Sequence, residues 1–432
     1  LVTGGGQNVK TAEMYNPATG IWVPAGEMEF GRAAHTATLL DDGKVLVVGG
    51  ADTIGSSEVV EVYNPETGRW VLLGGESGQW LPPTNMTSGR AEHRSTLLGD
   101  GRILVTGGRH RKGESDEESG IINFLNSYEI YDPSSKSWSD SKNMANARVG
   151  HSSTFLNTGN VLVAGGLVVV KGEESNSVRY LSSSESYSPS TDTWSDVSSM
   201  SGARWGHSAT MLNDGTVLVA GGEDSNGLVN TAEIYSPATD KWATINGMEF
   251  ARRDHKAILL SNGKVVVVGG GGGIPEIYNP STKQWLSSTK QPNSTNRPAV
   301  SITSDGTVFV AGGFSPRGPV RTAFIYFPGT GKWEAVGQMQ LARGGATANL
   351  LPNGNLLIVG GSDSNLAEIF EPSTKKWMSA ARMLNARIGS HSATLLDDGT
   401  VLVVGGERRD LGTLSTAEQF KPSGLKSTFS SK

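Results

Sequence analysis

A pair of adjacent glycines returns nine times along the chain, with its second member at Gly5, Gly50, Gly108, Gly166, Gly222, Gly270, Gly313, Gly361 and Gly406. The intervals run from 43 to 58 residues, and a period of that size marks an architecture that grows by repeating one supersecondary unit. The 432 residues are about three times the length of an ordinary domain, and repetition accounts for them without unrelated domains. Glycine supplies 57 residues and proline 18, so the glycines serve turns rather than a collagen-like or disordered tract.

Each doublet sits in the same surroundings. A Tyr or Phe with a Pro two residues on follows it, and then, in all but the last, a Trp, at Trp22, Trp70, Trp138, Trp194, Trp242, Trp285, Trp333 and Trp377. Ahead of it stands an Arg, usually with His three residues later, as in Arg32/His35, Arg90/His93, Arg148/His151, Arg204/His207 and Arg252/His255; Arg297, Arg343 and Arg387 continue the series. The alternating stretch His35 to Leu40 reads as a half-buried strand, Asp42-Gly43 as a two-residue type I′ turn, and Val45 to Val48 as the buried partner ending at the doublet. A third strand carries Glu-x-Tyr, and the Trp opens a fourth. No stretch shows sustained helical periodicity.

A four-stranded antiparallel unit buries its faces only by stacking on copies of itself, which predicts an all-β propeller. The series Arg-x-x-His, Asp-Gly-Lys-Val-Leu-Val-Val-Gly-Gly, Glu-x-Tyr-x-Pro and Trp resembles the kelch repeat over almost the whole chain, from Leu1 to about Pro422. The resemblance implies a single kelch β-propeller over 1–422 and a Ser/Lys-rich tail over 423–432. Two blade counts stay open. Residues 1–22 hold strands two to four of one unit and 387–422 hold strands one to three of another, so joining His391–Leu396 to the opening piece closes eight blades. The alternative is seven blades with terminal extensions.

Charge and composition remove several function classes. Lys plus Arg number 37 against 42 Asp plus Glu, a net charge of -5 without a basic stripe, which speaks against nucleic acid. No apolar run approaches the ~20 residues of a membrane helix. Cysteine is absent, so disulfides, thiolate metal sites and Cys nucleophiles are absent too. The chain opens at Leu1 without Met or a signal-type segment, which reads as a processed product or fragment.

In a four-strand meander the links from strand two to three and from blade to blade share one face. Every long insertion falls there: Gly74 to Gly89, Arg109 to Asn126 and Leu167 to Ser183. Uneven loops on a rigid scaffold are where binding resides, so a protein or carbohydrate partner is expected on this face. Candidate contacts are Trp80, Trp205, and Arg109, His110, Arg111 and Phe124 of the second insertion. Its run through Lys112, Glu114, Asp116, Glu117 and Glu118 is self-neutralising. The repeated Arg should each pair with a third-strand Glu, at Glu61, Glu129, Glu185, Glu233, Glu276, Glu368 or Glu418. One blade departs, with Phe324 in the Glu position and Val300 in the His position, which leaves Arg297 as a free cation at the channel mouth.

Six of the seven His belong to the repeat, and Val300 and Ala346 break their ring. They read as tethers of neighbouring backbone, and no metal or cofactor is expected. Kelch propellers include copper radical oxidases whose cofactor joins Tyr to Cys, an activity the missing Cys excludes. The expected function is a non-catalytic extracellular binding or structural module; the alternative is a small-sugar isomerase or mutarotase at the channel mouth. The sequons Asn85-Met86-Thr87 and Asn293-Ser294-Thr295 make Asn85 and Asn293 glycosylation candidates. The incomplete ends suggest self-assembly, with the Trp22 strand donated to the unit around Gly406 and Phe420 of a neighbouring molecule.

Overall fold

The computed structural model describes all residues except 7–8, 29–30, 53–54, 57–59, 74–77, 112–121, 171–176, 272 and 424–432. Every described element is a strand, and every strand pairing is antiparallel. The repeating hairpin differs from expectation in its turn. Leu98 N–H donates to Arg102 O and Gly101 N–H to Leu98 O, with Gly101 at a φ of 83° and Gly99 and Asp100 outside the left-handed region. This is a three-residue connection, a type I turn followed by a glycine bulge. A type I′ turn would need positive φ at two successive residues, and only the glycine supplies it.

Contacts divide the chain into two compact units, residues 1–79 with Met378–Ala381, and residues 80–377 with 382–432. In the second, seven sheets each begin with a short strand: Arg94–Leu97, Ser152–Phe155, Ser208–Met211, Lys256–Leu259, Ala299–Ile302, Thr347–Leu350 and Ser392–Leu395. Each of these touches the next, and the last touches the first, so seven blades close a ring around a central channel. We number the blades one to seven in that order. Of the two blade counts, the ring described in the second unit has seven.

Closure depends on one exchange. Blade seven has three consecutive strands of its own, Ser392–Leu395, Val401–Val404 and Thr416–Pro422. Its outer position is filled by Gly78–Trp80 and Thr84–Asn85, the latter paired with Ala417 and Thr416. Trp80 lies on Phe420 at a centroid distance of 5.2 Å, matching the 5.1 Å of Tyr131 on Trp138 in blade one. Trp80 is thus the fourth-strand Trp that the closing repeat lacks. Strand donation by Trp22 to the Phe420 unit is corrected on this ground, because the slot is filled from the same chain.

The core lies between blades. Ile103, Val105 and Tyr131 of blade one pack with Leu396, Leu402 and Val404 of blade seven, and Leu162 and Ala164 of blade two with Val217 and Val219 of blade three. The recurring Trp stitches these joints: Trp242 and Trp285 each donate their indole N–H to a backbone oxygen of the preceding blade segment, Ser198 O at 2.7 Å and Asn246 O at 2.8 Å.

The first unit holds a three-stranded sheet, Val2–Thr3, Thr11–Asn16 and Ile21–Glu27, and a four-stranded one, Thr36–Leu39, Val45–Val48, Val60–Asn64 and Arg69–Leu73. Trp70 donates to Ala25 O at 2.9 Å, the same joint as in the ring. Its own Ile21, Trp22 and Val23 are exposed.

Candidate functional site

The repeated Arg, Glu and glycine doublet form one buried lock per blade. Arg90 Nη2 meets Glu129 at 2.6 Å, Arg148 meets Glu185 at 2.6 Å, Arg204 meets Glu233 at 2.8 Å and Arg252 meets Glu276 at 2.7 Å. Arg343 with Glu368, Arg387 with Glu418 and, in the first unit, Arg32 with Glu61 repeat it. Arg90 also donates to Gly107 O, and the second carboxylate oxygen of Glu129 accepts Thr87 N–H at 2.7 Å. A Cβ on Gly107 would meet Arg148 O of the next blade at 2.5 Å, and one on Gly108 would meet Ala91 O at 2.7 Å. The doublet is the place where two Arg-His segments cross, and only glycine fits. The expected Arg–Glu pairing is present throughout this series, which makes it structural.

Blade five breaks the lock, and its register differs from the sequence reading. The lock Arg stands seventeen residues before the glycine whose carbonyl it holds, eighteen in blade seven; in blade five the residue at seventeen is Thr295, whose Oγ1 donates to Gly312 O at 2.8 Å. Pro298, not Val300, occupies the His position, and Phe324 replaces the Glu opposite Val310. Both members of the buried ion pair are therefore lost together, leaving no uncompensated charge. Phe324 is buried edge-on to Trp333, so it is core rather than ligand surface. Arg297 belongs to a different series, the left-handed residue that follows the lock by two, shared with Glu92, Gly150, Gly206, Asp254 and Gly345. It has no third-strand Glu, as expected, but its Nε lies 3.4 Å from Asp254.

The His tether side chains rather than backbone. His207 meets Ser152 Oγ at 3.0 Å, His255 meets Ser208 at 2.8 Å, His93 meets Ser392 at 2.8 Å and His391 meets Thr347 at 3.3 Å, each reaching the first inner-strand residue of the preceding blade. Burial, reinforced by nearby Arg charge, holds these imidazoles neutral and pushes His255 and His391 down to about 3.

These residues line a cavity of about 370 Å³ at the channel mouth, walled by Glu92, Arg94, Trp205, Asp254, Lys256 and Arg297 among others. Five blades raise a small hairpin around it, at Arg109–Arg111 with Ile122–Phe124, Leu167–Val170 with Ser177–Tyr180, Glu223–Asp224 with Gly227–Leu228, Phe314–Ser315 with the strand Gly318–Phe327, and Glu407–Arg408 with Gly412–Thr413. The two longest insertions are thus neighbours on one face, while the hairpin turns at the other face are short and uniform.

The candidates spread over this frame as follows. Arg109 bridges Glu92 at 3.3 Å and Glu407 at 2.6 Å. His110 Nδ1 meets Gly89 O at 2.9 Å and Thr413 Oγ1 at 3.0 Å, and Arg111 donates its backbone N–H to Thr413 Oγ1 at 3.0 Å and leaves an exposed side chain. Phe124 pairs with Arg109 across the hairpin and is half-buried. Trp205 packs over Gly150, carries Arg253 at 5.0 Å above its ring, and its indole N–H has no acceptor among the described residues. Trp80 is the exception: Phe420 pairs with Val401, next to the short turn at Gly399, so Trp80 stands at the opposite end of the blade from the hairpins. Its loop assignment fails because its strand partner lies far away in sequence. The acidic run from Glu114 to Glu118, with Lys112, lies outside the described residues. Asn85 and Asn293 are both exposed. Arg94 and Lys256 were missed; comparing the residue after each His, which is Ser in blades two, three and seven, would have found them.

Residues 112–276 match the Attractin/LZTR1 beta-propeller family, and residues 32–75 and 296–340 match the Kelch motif. Kelch-like protein 36 of Bos taurus is 30% identical over 167 residues, 39% of this chain and 24% of that protein; its Rattus norvegicus counterpart is 30% identical over 146 residues, 34% and 21%. The chain therefore spans about a quarter or less of these relatives. A fungal alcohol oxidase of the AA5 family, in complex with copper, superposes with a TM-score of 0.64 at 17% identity over 80% of this chain and 76% of its own, a likeness of fold. The donor set here does not fit such a copper centre: the chain has no Cys, and among the described residues no three His, Asp or Glu side chains converge. No described helix is long and apolar enough to cross a membrane.

Proposed function

Since the chain belongs to the kelch-repeat β-propellers, we propose that it is a non-catalytic protein-binding module whose partner docks on the hairpin face of the ring. The observation that carries this reading is the asymmetry of the two faces. Five hairpins of unequal length and charge crown one, and tight, near-identical turns form the other. The lock beneath the hairpins is rigid and buried, so loop residues vary without cost to the scaffold.

A partner captured with the whole chain provides the test. Arg111→Glu with Arg253→Glu is expected to weaken its binding at least tenfold, whereas Lys136→Glu at the short-turn face leaves it unchanged. Equal loss from both would place the interface elsewhere. The cavity supports the second reading, a small-sugar isomerase or mutarotase, and turnover of any member of a sugar panel by the purified chain would favour it. An extracellular setting and glycosylation at Asn85 and Asn293 are part of the proposal, since both side chains are exposed; peptide mapping of secreted chain from a eukaryotic host checks them. Self-association remains assigned to the exposed Ile21–Val23 strand segment of the first unit, and sizing with and without residues 1–27 tests it.

A further inference from the structure

The seven residues that open the inner strands occupy one ring of equivalent positions: Arg94, Ser152, Ser208, Lys256, Ala299, Thr347 and Ser392. Four carry hydroxyls, and each of those hydroxyls is held by the His of the following blade. At the other three the tether is missing. Behind Arg94, His151 turns instead to Thr106 Oγ1 at 2.9 Å; behind Lys256 the His position is Pro298, and behind Ala299 it is Ala346. Where a cation replaces the hydroxyl, the structural bond it would have made has been given up.

Neither cation is used to hold the ring. Arg94 donates to His93 O at 3.2 Å, and the Lys256 side chain, on a strand whose backbone pairs with Val268, has no hydrogen bond or ion pair among the described residues. Both line the 370 Å³ cavity, with Arg297 at its lip. The two carboxylates there are already engaged, Glu92 by Arg109 and Asp254 by Arg297. Arg94 is half-buried and Lys256 is open to the channel, so with Arg297 three like charges share one water-filled cavity with carboxylates that are already paired, and a bound anion relieves their mutual repulsion.

We propose that the channel mouth is a binding site for a small multivalent oxyanion, held between Arg94 and Lys256 from blades one and four with Arg297 at the entrance. A planar guanidinium and a flexible ammonium facing one cavity suit phosphate or carboxylate oxygens. Crowding by the channel wall and then the charge of Arg94 push the Lys256 ammonium down to about 8, against the opposing pull of Asp254. This site is independent of the protein-docking reading, because it lies inside the channel and needs no hairpin residue.

Calorimetry on the full chain with pyrophosphate, and separately with citrate, distinguishes a phosphate from a polycarboxylate ligand. One equivalent is expected to bind, and Arg94→Ser and Lys256→Ser each to weaken it about ten- to hundred-fold, the range for a lost charged hydrogen bond. Serine is the residue that three other blades place there, so both variants should unfold at the urea midpoint of the parent. Affinity should fall as pH rises through about 8, where Lys256 loses its proton; the groups facing it are Arg94, Arg297, Asp254, His255 and His391. Absence of binding by both anions at millimolar concentration, or binding that Arg94→Ser/Lys256→Ser leaves unchanged, would overturn the proposal.

Discussion

Glu233 shows what a single side chain does in this ring. Its two oxygens take Arg204 and Ser201 N–H, and the two charged side chains are both buried. Glu233→Ala leaves a buried guanidinium without its counter-charge and is expected to cost about 3–5 kcal/mol in urea unfolding. Blade five suggests the remedy, because it holds Thr and Phe at these two positions. Arg204→Thr with Glu233→Phe should recover more than half of that loss, and a double-mutant cycle measures the coupling.

The imidazoles set a pH dependence with a definite sign. His255 and His391 are neutral in the folded ring down to about 3, whereas in the unfolded chain they take a proton near 6.5. Folding stability they support is present above 6.5 and is lost as pH falls from there towards 3, at roughly 1.4 kcal/mol per pH unit for each group. Urea midpoints at pH 7 and pH 5 check this, and His391→Gln should reduce the difference by the share of one group, since His255 and the other buried imidazoles remain.

At the scale of elements, the exchanged strand carries the ring closure. Trp80→Ala removes the outer aromatic of blade seven and is expected to cost about 3–5 kcal/mol, as large-to-small core changes do. Trp22→Ala, at a ring half exposed in the first unit, should cost less than about 1 kcal/mol. A chain beginning at Gly78 should keep the seven-blade ring, whereas one beginning at Met86 should open blade seven, seen as fast amide exchange across Thr416–Pro422. Equal protection in the two chains would show that Gly78–Trp80 and Thr84–Asn85 do not close it.

Across the whole molecule, the repeat period, the four-stranded unit, the Arg–Glu lock and the inter-blade Trp were all legible in the sequence, because each is a local pattern copied many times. Glycine doublets and buried charges admit few alternative placements, so repetition turned weak local signals into a fold. What stayed hidden was set by contacts between distant residues. Trp80 reads as a loop until Phe420, at the far end of the chain, gives it a strand to pair with. Arg297 passes for a lock residue until the hydrogen bond from Thr295 to Gly312 fixes the register of blade five. Arg94 and Lys256 look like ordinary surface charges in sequence, and only ring closure turns them inward to share one cavity. Local chemistry determined the blade; the number of blades, the strand that closes them and the charge inside the channel were decided by how the blades met, since a ring fixes neighbours that no linear spacing specifies.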